Sequence, residues 1–80
     1  MEEEFTTLDL GLAAFLLAKR YPVLRIVPSG TRRHSFHFPK AAEESADDYL
    51  RGGQIEARVF AAALRDLKTR LSEPGMVSAT

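Results

Sequence analysis

The sequence predicts a small α+β domain, a β-hairpin packed against helices in the order α-β-β-α-α. Three observations carry that expectation. Apolar residues recur at helical spacing in two stretches, Leu8 to Leu17 and Ala57 to Leu71. Between them, Val23-Leu24-Arg25-Ile26-Val27 and Ser35-Phe36-His37-Phe38 alternate as strands do, on either side of the turn residues Pro28-Ser29-Gly30-Thr31. At 80 residues the chain suits one domain and no more. That domain is expected over 1–73. Residues 74–80, behind the breaker Glu73-Pro74-Gly75, are expected to form a disordered tail.

The first helix is placed at about 7–20. Thr6 is the expected N-cap, with Asp9 three residues on and Phe5 and Leu10 spaced as a hydrophobic staple. Leu8, Leu12, Phe15 and Leu16 form its apolar stripe, widened by Leu17. Lys19 and Arg20 suit the negative helix end, and Pro22 stops the helix. In the hairpin, Leu24 and Ile26 share one face and Arg25 takes the other. Phe36 and Phe38 point one way, Ser35 and His37 the other, and Pro39 ends the return strand. Lys40 to Arg51 forms a short helix with Ala42, Ala46, Tyr49 and Leu50 as its apolar side, closed by Gly52-Gly53. The last helix runs from about Ile55 to Ser72 with Ala57, Phe60, Leu64, Leu67 and Leu71 as its seam. The expected core is Leu8, Leu12, Phe15, Leu16, Leu24, Ile26, Phe36, Phe38, Leu50, Phe60, Leu64, Leu67 and Leu71.

Composition narrows the function. Apolar residues make up 45% and charged residues 28%, which excludes collagen-like and low-complexity chains. With no cysteine there is no disulfide, thiolate metal site or Cys nucleophile. The longest apolar run, Leu10 to Ala18, is far short of the ~18 residues that span a bilayer. Met1-Glu2-Glu3-Glu4 is acidic where a targeting peptide is basic. A cytoplasmic protein without a membrane partner is the expectation.

No catalytic pattern stands out. His34 and His37 fall on opposite strand faces and do not chelate one metal together. Glu43/Asp47 and Glu44/Asp48 read as a solvated helix face. The serines and threonines sit in caps and turns without a His–acid arrangement nearby in sequence. No phosphate-loop pattern surrounds Gly52-Gly53. A non-enzymatic chain without a cofactor is expected.

Charge is balanced overall, eleven basic against eleven acidic side chains, but not locally. Between Leu10 and Ala42 there are only cations: Lys19, Arg20, Arg25, Arg32, Arg33 and Lys40. Acids bracket that stretch on both sides. One reading is a solvated surface that neutralises itself in space. The other is a positive patch that attracts phosphate or an acidic partner. Around the hairpin tip, basic and aromatic residues interleave, as they do on surfaces that track a phosphate backbone. Phe36 and Phe38 read as core, which leaves the arginines and His37 as the candidate contacts. Arg58 and Arg65, seven apart on the last helix, lie off its seam.

The stretch Thr6-Thr7-Leu8-Asp9-Leu10-Gly11-Leu12-Ala13-Ala14-Phe15-Leu16-Leu17-Ala18-Lys19 resembles the opening helix of a small domain family of unknown function from bacteria, phages and prophages. Members of that family open with Thr-Thr-Asp…Leu-Ala…Leu-Leu…Lys-Gly. The similarity extends to Arg32-Arg33, Phe36-His37-Phe38, Ala57-Arg58-Val59-Phe60 and Leu64-Arg65-Asp66-Leu67-Lys68, covering about residues 5–71. Two departures stand out. The acid comes one residue later, and Arg20 replaces the capping glycine, which would force Arg20 or Tyr21 into a left-handed conformation. The resemblance implies a small accessory protein from a phage-like or mobile-element setting and supplies no catalytic residue.

The function expected is weak nucleic-acid binding through a basic patch of Lys19, Arg20, Arg25, Arg32, Arg33, His37, Arg58 and Arg65. The alternatives are a protein-binding accessory factor docking on an acidic partner, and a structural homo-oligomer. A homodimer is expected to use the hairpin edge or the last helix, since an open strand edge invites pairing with a twin.

Overall fold

The computed structural model describes residues 3–30 and 33–72. The expected α+β class and the hairpin packed on helices are both present. The elements are β1 (Glu4–Thr7), α1 (Leu10–Ala18), β2 (Arg25–Pro28), β3 (His34–Pro39), α2 (Ala42–Leu50) and α3 (Ala57–Ser72). The strands form one antiparallel sheet in the order β1-β3-β2.

β1 corrects the sequence reading. Residues 4–7 are not the approach to a helix but a third strand, so the order is β-α-β-β-α-α. Phe5 stands opposite Phe38 and Thr7 opposite Phe36. Pairing with β3 adds Phe5 to the apolar face of the hairpin, and β-branched Thr6 and Thr7 suit a strand. The N-cap therefore moves from Thr6 to Asp9, whose carboxylate accepts from the Gly11 and Leu12 amides at 2.9 and 3.3 Å. Such a cap stabilises by about 1 kcal/mol. Thr7 Oγ1 accepts the Asp9 amide at 3.0 Å, which fixes the corner.

The register sorts the sheet into two faces. Phe5, Thr7, Ile26, Phe36 and Phe38 point toward the helices; Glu4, Thr6, Arg25, Val27, Ser35 and His37 point away. α1 packs against α2, α3 and β1, and α2 and α3 are joined through it rather than by extensive contact of their own. That central place explains why α1 has no polar stripe: every residue from Leu12 to Leu16 is buried. Ala13 and Ala14 are fully buried, so small side chains let the neighbouring elements approach. Phe15 meets Tyr49 of α2 with ring centroids 5.1 Å apart. A methyl group on Gly11 would stand 2.9 Å from the Tyr49 hydroxyl, so glycine suits this approach.

α1 ends in a double-bonded reversal. The Tyr21 amide donates to Leu16 O at 3.1 Å and the Arg20 amide to Leu17 O at 2.9 Å. The residue in the left-handed position is Arg20, at φ 76°. α2 closes in the same way, with Gly53 N donating to Asp48 O at 2.7 Å and Gly52 at φ 83°.

Of the expected core, Leu12, Phe15, Leu16, Ile26, Phe36, Phe38 and Leu67 are buried, and Phe60, Leu64 and Leu71 pack partly against them. Three residues are corrected. Leu8 and Leu24 are 47% exposed and Leu50 is 74% exposed. Leu8 falls in the link between β1 and α1, Leu24 precedes an edge strand, and Leu50 is in the last turn of α2, beyond its buried contacts. Ala42 and Ala46 bury that helix instead, and Ala63 joins Leu67 in α3. The hairpin edge left open by the sequence is covered by β1. The free edges belong to β1 and to β2, which ends at Pro28, a residue without an amide proton. Residues 74–80, expected as a tail, lie outside the described residues.

Candidate nucleic-acid interface

Of the eight residues named from sequence, the seven that are described do not converge on one surface. Arg25 and His37 lie on the sheet face turned away from the helices. Arg25 reaches from β2 across β3 to Glu4 on β1: Nη1 donates to Oε2 at 2.8 Å, and Nη2 stands in ion-pair contact with Oε1, also at 2.8 Å. His37 Nδ1 faces Glu4 Oε1 at 3.1 Å and Thr6 Oγ1 at 3.2 Å, and its Nε2 faces Ser35 Oγ at 3.1 Å. An ionised carboxylate only accepts, so an imidazole proton belongs on Nδ1. Acid, imidazole and hydroxyl stand in the sequence of a nucleophilic triad. Here, however, Arg25 occupies both carboxylate oxygens, and Ser35 Oγ also lies 3.4 Å from the Val27 carbonyl. The network ties the three strands together. It also holds Arg25 and His37 against an internal partner.

That pairing sets an acid response. The Arg25 hydrogen bond, followed by that of His37, holds the Glu4 carboxyl below its usual value of 4.5 against the opposing effect of desolvation. A carboxyl whose value is depressed in the fold adds stability that is complete above the unfolded value and is lost as pH falls through the folded one. Thermal melts at descending pH are therefore expected to show the native chain losing stability below about 4.5 by a component that Glu4→Gln lacks. Parallel curves for the two proteins would remove Glu4 from the acid transition. Lys40 is shifted upward by its hydrogen bond to Glu43. It joins the α2 acids rather than a basic patch.

The other cations project elsewhere. Lys19 lies over the Phe15 ring, 5.4 Å from its centroid. Arg20 is exposed at the left-handed residue behind α1. Arg33 is exposed and lines a shallow cleft with Leu8, Leu10, His34, Phe36 and Leu71, so the loop end of the hairpin meets the last turn of α3 there. Arg32 lies outside the described residues.

Arg58 and Arg65 both lie on the solvent side of α3, which belongs to the helix layer on the far side of the sheet from Arg25 and His37. Two turns separate them, a rise of about 10 Å. Lys68, one turn beyond Arg65, extends the row; the sequence reading left it out, although its spacing from Arg65 was visible. Arg65 and Lys68 flank a shallow depression with Ala61, Leu64, Thr69 and Ser72. No described carboxylate lies within ion-pairing distance of Arg58, Arg65 or Lys68, whereas Arg70 is taken by Asp66 through two bonds of 3.1 and 3.2 Å.

Among the described residues, no helix is long and apolar enough to cross a membrane. Comparison with family models, curated proteins and solved structures gives no match to this chain, so the surface is read from its own geometry.

Proposed function

We propose that the chain is a small non-enzymatic accessory module that binds nucleic acid weakly through α3, in the phage-like or mobile-element setting that the resemblance implies. The single observation behind this reading is the row Arg58, Arg65 and Lys68, exposed on one side of a 16-residue helix and without described carboxylate partners. Small side chains between these cations leave room for a backbone to lie close. Arg33 adds a cation near the end of the same helix, while Lys19 and Arg20 supply a peripheral contribution. Arg25 and His37 contribute least, because binding phosphate would first require separation from Glu4.

Three phosphate contacts release about three counterions. Affinity is then expected to fall about 40-fold between 50 and 200 mM salt. Fluorescence anisotropy with labelled duplex and single-stranded probes tests this at ~50 mM salt. Arg65→Ala/Lys68→Ala should lose most of the binding, and Arg32→Ala/Arg33→Ala a substantial part. The absence of a signal at micromolar protein would end the reading.

A net charge of zero and a pI near 6.7 favour a second reading, an accessory factor docked on an acidic protein surface, since dedicated nucleic-acid domains are usually strongly basic. Recovery of a protein partner that survives nuclease treatment would select it.

A further inference from the structure

The two outer helices carry opposite charge. α2 holds Glu43, Glu44, Asp47 and Asp48 and no cation; α3 holds Arg58, Arg65, Lys68 and Arg70 against Asp66 alone. Internal pairing uses part of this. Lys40 takes Glu43 at 2.7 Å and Arg70 takes Asp66, whereas exposed Glu44 and Asp47 have no described cation within ion-pairing distance. One turn separates Glu44 from Asp47, and one turn separates Arg65 from Lys68. Each helix thus presents a pair of unneutralised charges at the same spacing. Beside the acidic pair stands Leu50, 74% exposed and in line with Glu43 and Asp47 at i, i+4, i+7 spacing. Between the cations of α3 lies the shallow depression floored by Ala61 and Leu64.

We propose that α2 of one copy docks on α3 of the next, with Glu44 and Asp47 meeting Arg65 and Lys68 and Leu50 seated against Ala61 and Leu64. The occupant is a second copy of this chain because the complementary surface is present on the same molecule, and a net charge of zero leaves no overall repulsion between copies. α1 lies between α2 and α3, so the two surfaces sit on different flanks of the domain. The contact is therefore head-to-tail: each added copy presents a fresh α3 or α2, so assembly passes beyond a pair and stops only where a ring closes. This stands whether or not α3 also takes a phosphate backbone; where it does, nucleic acid and the neighbouring α2 compete for Arg65 and Lys68.

Light scattering over a concentration series tests the proposal. At about 10 mM salt, where screening extends to ~30 Å, the mean mass should rise continuously with concentration. At about 1 M salt, with screening at ~3 Å, it should return to that of one chain. Arg65→Gln/Lys68→Gln keeps only the acidic surface and Glu44→Gln/Asp47→Asn only the basic one, so each alone should be monomeric. Mixed, they should form a one-to-one pair and stop there. Leu50→Ser should raise the concentration needed for half-association several-fold while leaving the circular dichroism spectrum unchanged. A monomer at every concentration in low salt overturns the proposal. So does association that neither double variant alters, or a mixture that stays monomeric or grows beyond two. The nucleic-acid reading separates cleanly, because Glu44→Gln/Asp47→Asn should still bind the labelled probes.

Discussion

Replacing Phe38 by alanine is expected to leave most of the chain unfolded. Phe38 has no solvent exposure and lies on the central strand, opposite Phe5 across the β1 pairing. Its ring reaches the same core as Phe15, Leu16, Ile26 and Leu67. Truncating a fully buried phenylalanine costs about 3–5 kcal/mol, from lost transfer energy and the cavity left behind. A single core in a chain of this size rarely supplies more than ~3–5 kcal/mol in total. The loss therefore matches the whole margin, and far-UV circular dichroism with urea titration should show no native baseline. A cooperative transition near the native midpoint would mean that the sheet is held by something other than this core. Leu50→Ala is the matched control, expected within about 0.5 kcal/mol of the parent because that side chain is mostly in water.

Substituting Arg20 by glycine is expected to act in the opposite direction. At φ 76°, an L-residue brings its Cβ toward the following carbonyl, which costs about 1–2 kcal/mol. Glycine removes that cost, while its freer unfolded chain takes back about 0.4–1 kcal/mol. The net gain is about 0.5–1 kcal/mol, or about 2–8 °C in Tm for a domain of this length. The hydrogen bonds of the reversal come from backbone atoms, so they survive the change. Gly52 supplies the comparison within the same chain: it holds the equivalent position behind α2 at φ 83°. Calorimetry showing an unchanged or lower Tm for Arg20→Gly would place no strain at that residue.

A left-handed residue at Arg20 or Tyr21 was legible only through the missing capping glycine of the resembled family, and the structure places it at Arg20. The hairpin and its inward phenylalanines were legible too, through strict alternation at Phe36 and Phe38. β1 was not. Glu4 to Thr7 shows no alternation long enough to compete with the cap-like Thr6 and Asp9, and its partner strand lies more than thirty residues away, as the Thr6–His37 bond shows. The same distance hid the Glu4–His37–Ser35 row, since no local spacing places Glu4 beside the hairpin. Leu50 misled because helical periodicity marks which side of α2 is apolar but not where its cover ends. The α3 cations were visible as off-seam positions. The pairing that removes Arg25 from a shared surface was not, because it depends on β1.

The placement of β3 also bears on misassembly. Ser35 to Phe38 is the most β-prone aromatic stretch of the chain, and runs of six or seven such residues nucleate steric zippers when their edges are bare. In the native sheet both of its edges are occupied. The strands left at the rim have four residues each, one finishing in proline and the other opening on an acid, both of which discourage fibril templating.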